Sequence, residues 1–456
     1  MPPRVPLATA CAVVALTTAT TVASSAPPRY FAAPVSGLVH LCNAGNPLSA
    51  APIHVTALAE DGRVVGEANC GTTTGESRPF VTSANNVVTE LPHGTFMFTK
   101  PVAFLNAGRT LLVGDWCPLV TGTCTTALAI ANSDGSLTVL AASGTSSSYL
   151  DSANEQGWAV GGGGASTSGA WRIRPDATLE VLEAPGAWGL QLTGVTLGGI
   201  AVGSGYVSNQ LRAIRWSASG QADVLPSIEA GTSSFGAGAG VDGSVVGSSN
   251  GRAAWWLPTL PPVSLLPVGS SSVATHMAGN SISASPLGYA IFGTHQNELR
   301  LFRAPNGGAW VDLSAGYTGP TLTNLEVIVA TRPDFMIAQG FTAMYERVSL
   351  LWTPQGGLVS LASTIVNPPS GTQALVALDA NLSFTILAEA GFGGAPFRLH
   401  QLSEGDTNGD SVVNGTDLAT LLSQWGVIAT THRLSADFDG NGTVDGLDLG
   451  ILLAQW

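Results

Sequence analysis

The sequence has little charge, and little of that charge is positive. Only 10% of the 456 residues are charged, and 17 basic residues stand against 30 acidic ones, so the formal net charge is −13. A chain without a basic stripe cannot displace counterions from phosphate groups, which argues against nucleic acid and anionic membranes as partners. Calcium ions and neutral glycans remain compatible with this composition.

Long apolar runs are missing, except at the beginning of the chain. Arg4 is followed by an apolar stretch from Ala8 to Ala23 and by small residues up to Ala26, which predicts a secretory signal peptide over residues 1–26. Cys11 raises a lipid anchor as an alternative, but Ala8-Thr9-Ala10 precedes it where a leucine is expected. No later segment has the length of a membrane span. We therefore expect a secreted protein.

Cysteine is scarce, and the absence of a Cys-x-x-Cys clip argues against a zinc site. The mature chain would keep an even number of cysteines in an oxidising compartment, which predicts two disulfides among Cys42, Cys70, Cys117 and Cys124. One bridge would close the short loop from Cys117 to Cys124 and leave Cys42 with Cys70, although the sequence permits three pairings.

Glycine, by contrast, is abundant at 56 residues, and a short apolar landmark ending in glycine recurs along the chain. It reads RVVG ending at Gly66, LLVG at Gly114, WAVG at Gly161, IAVG at Gly203, SVVG at Gly247, AIFG at Gly293, MIAQG at Gly340 and finally TILAE around Ala388. Each landmark lies among three further apolar segments, so each unit has about four short strands. Four antiparallel strands per repeat predict a mainly β fold, a β-propeller of about eight four-stranded blades with seven possible.

The pattern resembles the extracellular HAF repeats, with Arg-Ala-Ile or Arg-Ala-Ala in place of His-Ala-Phe. The segment from Arg29 to Leu41 reads as the last strand of a unit that lacks its beginning, and the last unit stops at Leu402. Joined, the two pieces complete one blade and close the ring, which removes exposed sheet edges. A stack of small β-sandwiches or a β-solenoid is the alternative.

The predicted body, residues 27–402, carries no enzyme signature. The pattern Gly-x-Ser-x-Gly at Gly247–Gly251 has no strand-to-helix context, the histidines form no metal clip, and no carboxylate pair can be nominated. Some tryptophans lie on the second strand of their units, counted from the landmark, and are expected in the core between blades. Others lie nearer the loops and are candidates for ligand stacking. The first group is Trp171, Trp216, Trp255, Trp256 and Trp352; the second is Trp116, Trp158 and Trp188.

The tail, residues 403–456, contains two loops in which oxygen-bearing side chains alternate before a short apolar helix. A loop that turns around a hard cation directs every second side chain inward, which predicts two Ca²⁺ sites. The ligands at positions 1, 3, 5, 7, 9 and 12 would be Asp406, Asn408, Asp410, Val412, Asn414 and Asp417, and in the duplicate Asp437, Asp439, Asn441, Thr443, Asp445 and Asp448, with Val412 and Thr443 offering carbonyls.

Each loop has Asp at position 12 and only an exiting helix, unlike an EF-hand. The helices repeat an apolar stripe of Leu418, Leu421, Leu422 and Trp425 in Leu449, Leu452, Leu453 and Trp456. Two such units resemble a type I dockerin domain, which docks bacterial extracellular proteins onto cohesin-bearing partners. The resemblance implies a cohesin-like or cell-surface anchoring partner and an extracellular or cell-surface location in a bacterium.

We therefore expect a secreted calcium-binding protein with a non-catalytic propeller body that binds a glycan or protein ligand, tethered through its tail. The alternative is a dockerin-bearing glycoside hydrolase or polysaccharide lyase. A carboxylate pair in a pocket on the propeller axis would favour the enzyme. A calcium sensor requires a helix pair that opens on binding, and the loops lack entering helices.

Overall fold

The computed structural model describes most of the repeat region and most of both predicted calcium loops. The described residues are 28–36, 53–69, 77–92, 96–116, 125–142, 148–154, 156–163, 169–240, 242–250, 252–258, 261–264, 289–295, 298–304, 311–313, 317–332, 335–354, 356–366, 375–381, 385–390, 395–410, 412–428, 436–439 and 441–456. The predicted signal peptide and all four predicted disulfide cysteines, Cys42, Cys70, Cys117 and Cys124, lie outside these residues.

The described strands form antiparallel sheets, most of them built from strands that are consecutive in the chain. β1 (Tyr30–Pro34) comes first. Blade 1 comprises β2 (Ile53–Leu58), β3 (Val64–Asn69), β4 (Ser77–Thr82) and β5 (Val88–Glu90); blade 2 comprises β6 (Phe96–Phe104), β7 (Thr110–Trp116), β8 (Thr125–Ala131) and β9 (Leu137–Ala142). Blade 3 comprises β10 (Ser148–Ala153), β11 (Ala159–Gly163), β12 (Ala170–Ile173) and β13 (Leu179–Val181); blade 4 comprises β14 (Ala187–Val195), β15 (Ala201–Val207), β16 (Gln210–Trp216) and β17 (Ala222–Val224).

Blade 5 follows in the same order, and a three-stranded sheet comes after it. Blade 5 comprises β18 (Ser234–Ala239), β19 (Val245–Ser249), β20 (Arg252–Trp256) and β21 (Val263–Ser264); the three-stranded sheet comprises β22 (Tyr289–His295), β23 (Glu298–Ala304) and β24 (Val311–Asp312). Blade 6 comprises β25 (Leu322–Arg332), β26 (Phe335–Thr342), β27 (Arg347–Thr353) and β28 (Gly357–Ser360). The described residues thus form seven four-stranded blades, counting the closing blade, and this smaller sheet.

The closing blade joins the two ends of the repeat region. It comprises β29 (Leu375–Ala380), β30 (Ile386–Ala390) and β31 (Pro396–Gln401), and β1 pairs with β31 as its outermost strand, in a register that sets Tyr30 opposite Gln401. First strands of successive blades contact one another from β25 through β29, β2, β6, β10 and β14 to β18. The mainly β, propeller-like fold and the closure by the segment at Arg29 are confirmed.

In most blades the landmark glycine pairs with the residue just before a β-bulge in the first strand. Gly203 pairs with Leu192, and the next residue, Thr193, is the extra residue of a β-bulge in β14. A Cβ on Gly203 would lie 2.0 Å from the backbone oxygen of Gln191. The same position is glycine in most blades because the bulged first strand leaves no room for a side chain behind it.

The core lies between the faces of neighbouring blades. Trp216 is fully buried with Val160 of the preceding blade, and Trp256 is buried with Val202 of its preceding blade. Their indole N–H groups donate to the carbonyl oxygens of Glu183 and Pro226. Of the tryptophans expected in the core, Trp171, Trp216, Trp256 and Trp352 are buried, so the prediction is confirmed for these four, whereas Trp255 is half-buried.

Arginines on the third strand of a blade hold the next blade in place. The fully buried Arg172 on β12 donates to a Glu180 carboxylate oxygen at 2.7 Å and to the carbonyls of Gly199, Ser217 and Ala218 in two turns of blade 4. Arg215 on β16 donates likewise to the carbonyl of Gly243 in blade 5. Such charge-assisted hydrogen bonds link neighbouring blades.

The tail forms a small helical module with a core of its own. Its two described helices are α1 (Gly415–Ser423) and α2 (Gly446–Gln455), and no helix precedes either loop within the described residues. Leu421 and Leu452 are fully buried in a cluster with Phe438 and Val444. No helix among the described residues is long and apolar enough to cross a membrane.

Candidate calcium loops and an axial pocket

The position-12 aspartates organise both calcium loops from the first turn of each helix. In the second loop, Asp448 is fully buried; its Oδ1 accepts the backbone N–H of Phe438 at 2.6 Å, and its Oδ2 accepts that of Asp445 at 2.8 Å. In the first loop, Asp417 accepts the backbone N–H groups of Thr407 and Asn414, both at 2.8 Å. Each aspartate therefore ties the beginning of its loop to the start of its helix, as the third residue of a capping box.

Hydrogen bonding also sets the ionisation of Asp417. Burial works to raise the pKa of this carboxyl, but the N–H groups of Thr407 and Asn414 and the Thr407 hydroxyl outweigh burial and hold the pKa below its ordinary value. An ionised carboxylate is the form that a hard cation requires.

The second loop gathers three carboxylates at one point. Oxygens of Asp437, Asp439 and Asp448 all lie within 4.8 Å of one another, and Asp437 and Asp448 are buried. In the first loop the three equivalent residues are Asp406, Asn408 and Asp417, and Asp410 provides a third carboxylate at position 5. These oxygen donors fit Ca²⁺, which takes six to eight oxygen ligands.

The remaining predicted ligands lie along the same two turns. Asp406 accepts the N–H groups of Asn408 and Gly409, and Asp410 accepts that of Val412 at 2.8 Å. In the second loop, Asn441 accepts the N–H of Thr443 at 2.8 Å. Asn414 and Asp445 are the N-caps of α1 and α2. The structure thus places all twelve predicted residues within the two loops, and their coordination of an ion stays a prediction.

A second candidate site, which we call the axial pocket, opens between the first strands of four neighbouring blades. It has a volume of about 290 Å³ and is lined by residues of β2, β6, β10 and β29. Its wall includes the bulge residues Thr56, Val102, Asp151 and Leu378. The bulge therefore turns one residue of each contributing blade towards the pocket.

Three carboxylates line this pocket, and its described lining contains no basic residue. They are Glu60, Asp151 and Asp379. Asp379 accepts the backbone N–H of Leu58 at 2.9 Å, across the junction between the closing blade and blade 1. In blade 6, Glu326 occupies the bulge position of β25 that is equivalent to that of Asp151 in β10.

Asp151 differs from its counterparts at the bulge position. Thr56 and Thr193 donate there to carbonyl oxygens of the next blade, Pro101 and Gly236. Asp151 instead lies solvent-exposed at the pocket wall, and partial desolvation there raises its pKa to about 7.

Sequence reasoning missed the axial pocket, although one signal was available. Asp151 directly follows Leu150, which pairs with the landmark residue Gly161, so the repeat alignment marks its position. Two other carboxylates of the body serve ion pairs: Glu180 pairs with Arg172 and Arg174, and Asp223 pairs with Arg215.

The Gly-x-Ser-x-Gly pattern and the loop tryptophans are also accounted for. β19 ends at Ser249 and β20 begins at Arg252, so the pattern spans a hairpin. Trp158 packs against the core between blades 3 and 4, beneath the Arg172 guanidinium. Trp188 is 54% exposed and stacks on Tyr206 with ring centroids 4.5 Å apart. The Trp116 side chain lies outside the described residues.

The class that these features define is a propeller-like body followed by a paired calcium-loop module. Residues 404–455 match the family model of the dockerin type I domain, and this C-terminal segment is a type I dockerin domain. The resemblance stated from the sequence is therefore confirmed for the tail. Dockerin domains in general bind calcium and attach to cohesin-bearing partners.

Similar solved structures cover most of the chain at low identity. One is virginiamycin B lyase from Staphylococcus aureus, 12% identical over 68% of this chain and 97% of that chain, with a TM-score of 0.41. A lectin from Burkholderia pseudomallei is 12% identical over 68% of this chain and 99% of that chain, with a TM-score of 0.39. Among curated proteins, none matches the sequence. These likenesses carry no conclusion about activity.

Proposed function

We propose that this is a secreted, non-enzymatic protein whose propeller body, residues 27–402, is held in an extracellular complex by its dockerin domain, residues 403–456. A signal peptide over residues 1–26 directs its export. The dockerin domain binds two calcium ions and docks on a cohesin-like or cell-surface anchoring partner. The body presents a ligand site for a glycan or a protein segment.

The observation that carries the tether is a duplicated apolar surface on the two helices. Leu422 on α1 and Leu453 on α2 are 56% and 55% exposed, and Trp425 and Trp456 beside them are also exposed. Leu421 and Leu452, one position earlier, fill the module core. Because the same residue types repeat on both helices, the surface offers a partner two equivalent apolar contacts. Exposed apolar clusters of this kind mark protein interaction sites.

Two calcium ions are supported by the duplication of the loops. Both position-12 aspartates are fully buried and hold the backbone at both ends of their loop. The two loops, residues 406–417 and 437–448, contain seven aspartates and no lysine or arginine of their own, so their carboxylates repel one another and favour bound cations. Binding and folding of the module are therefore coupled.

A cohesin-binding assay tests the tether. The full-length protein is passed over a panel of immobilised type I cohesin domains, with calcium or with a chelator. We expect capture by at least one cohesin in calcium, and loss of capture with the chelator. The double variant Leu422→Arg with Leu453→Arg is expected to lose capture, because it places charges in the apolar surface.

Met344→Arg provides the matched control, since Met344 is 81% exposed in a turn of blade 6. This variant is expected to bind as the wild type does. Capture that survives both the chelator and the double variant would contradict the proposed tether, and so would failure of every cohesin and every surface extract from the source to bind.

A second candidate function, a carbohydrate-acting hydrolase or lyase, is favoured by the axial pocket. Asp151, with its pKa raised to about 7, could serve as a general acid near neutral pH, and Asp379 and Glu60 provide further carboxylates in the same pocket. Glycosidases use two carboxyl groups that flank the scissile bond. A screen for turnover on a glycan panel separates this candidate from a binding body.

The variant Asp151→Asn makes this screen specific. If the pocket is catalytic, the substitution is expected to lower turnover by about 100-fold or more, because it removes the transferable proton. Asp223→Asn, which alters an ion pair on the outer strand β17, is the control. Glycan binding without turnover by the wild type would support the non-enzymatic body.

A further inference from the structure

Arg29 connects the propeller to both calcium loops of the dockerin domain. Its side chain is buried, and its Nη2 donates to the carbonyl oxygens of Ser403 and Asp406, both at 3.1 Å. The same guanidinium lies over the ring of Phe438, with its carbon 4.5 Å from the ring centroid. Asp406 begins the first loop and Phe438 lies in the second, so one side chain contacts both.

A second contact lies two residues further along. Gly409, in the turn of the first loop, has a φ of +79°, and a Cβ placed on it would come within 2.6 Å of the Phe31 ring. The backbone N–H of Gly409 donates to Asp406 Oδ1 at 2.7 Å. The Phe31 side chain therefore packs on the part of the loop that the first predicted calcium ligand shapes.

Arg29 and Phe31 belong to the segment that closes the propeller. Phe31 lies in β1, the outermost strand of the closing blade, and pairs with His400. The carbonyl of Arg29 accepts the N–H of Leu402 at 2.8 Å, which extends the β1–β31 pairing to the beginning of the tail. A closing strand of five residues depends on contacts at its ends, because a short edge strand has few hydrogen bonds of its own.

We infer that calcium binding by the dockerin domain stabilises the closure of the propeller, through the contacts of Arg29 and Phe31 with the two loops. The physical reason is that Ser403, Asp406 and Phe438 meet at one place only when the module is folded. Folding of the module depends on the cations that neutralise its crowded carboxylates. The dockerin domain is then a calcium-dependent lock on β1 as well as a tether, and this inference rests on the proposed calcium binding.

Linkage makes the coupling measurable from both ends. If calcium binding stabilises the pairing of β1 in the closing blade, then the Arg29 contact strengthens calcium binding by the same factor. Coupling between sites is typically about 5–150-fold in affinity. We expect Arg29→Ala to weaken calcium binding by about tenfold, although Arg29 ligates no calcium itself.

Hydrogen–deuterium exchange on the full chain, with and without calcium, tests the inference, and calorimetry measures calcium binding in the same samples. In the wild type, calcium is expected to slow exchange in residues 28–36 and 396–402 by about tenfold, and to leave blade 4 unchanged. In Arg29→Ala, calcium is expected to protect residues 441–456 but no longer residues 28–36.

Two further variants keep the test decisive. Arg29→Lys retains the charge but loses the planar group that stacks on Phe438, so its coupling should be intermediate and its fold intact. Arg347→Ala removes an arginine that lies over Phe341 at 5.2 Å in blade 6, away from the tail, and should leave the coupling unchanged.

The outcomes separate this inference from the proposed function. A wild type that binds no calcium would overturn the calcium proposal. A wild type that binds calcium without slower exchange in residues 28–36 would overturn the coupling alone. Tighter calcium binding in Arg29→Ala would also overturn it, because the arginine would then act as a competing cation.

Discussion

Removal of the Asp448 carboxylate should strongly weaken the second calcium site. In the folded loop this side chain accepts the N–H groups of Phe438 at 2.6 Å, Asp439 at 3.3 Å and Asp445 at 2.8 Å. Hydrogen bonds to a charged group contribute about 1.5–3 kcal/mol each, and the long one to Asp439 contributes little. Asp448→Ala therefore removes about 3–6 kcal/mol of loop organisation.

Calorimetric titration of calcium into chelator-treated protein measures the effect. The wild type should take up two ions. Since about 1.4 kcal/mol corresponds to a tenfold change, Asp448→Ala should weaken one of the two sites by at least about 100-fold. Asp448→Asn keeps one oxygen acceptor, so its loss should be smaller.

Glu404→Ala is the charge-matched control, because Glu404 is exposed and lies outside both loops. It should bind two ions as tightly as the wild type. If Asp448→Ala still bound two ions with unchanged affinity, the assignment of Asp448 as the residue that closes the second loop would be wrong.

Three further predictions concern the body. Gly203→Ala should lower the free energy of unfolding by about 1–3 kcal/mol in urea titrations, because its Cβ would meet a backbone oxygen at 2.0 Å, whereas Gly198→Ala should be near neutral. Arg172→Met should lower the free energy of unfolding by about 3–5 kcal/mol, because it leaves carbonyl oxygens of the next blade without their donor. A decrease below about 1 kcal/mol would contradict the role of Arg172 in holding blades 3 and 4 together. Because the pKa of Asp151 is raised in the folded state, ionisation of this carboxyl disfavours folding. The free energy of unfolding of the wild type, relative to Asp151→Asn, should therefore fall by about 1 kcal/mol between about pH 4 and pH 7, after allowance for solvent screening. Equal pH profiles of the two proteins would refute the pKa shift.

The sequence determined the features that depend on neighbouring residues. Alternation of oxygen donors from Asp406 to Asp417 follows from the turn of a loop around an ion, so spacing alone was enough to predict that loop. The repeated Gly203-type landmark and the position of Trp216 likewise reflect strand pairing and packing within one repeat. The sequence also predicted that the segment at Arg29 closes the ring, because this segment supplies the strand that the last unit lacks.

Only the tertiary structure decided which residues from distant repeats meet. Glu60, Asp151 and Asp379 come from three blades and share one pocket because the ring brings the first strands of these blades together. Arg29 reaches Phe438 because closure of the ring places β1 beside the folded loops. Local geometry repeats with the sequence, whereas these contacts depend on the closure of the whole ring, which no single repeat encodes.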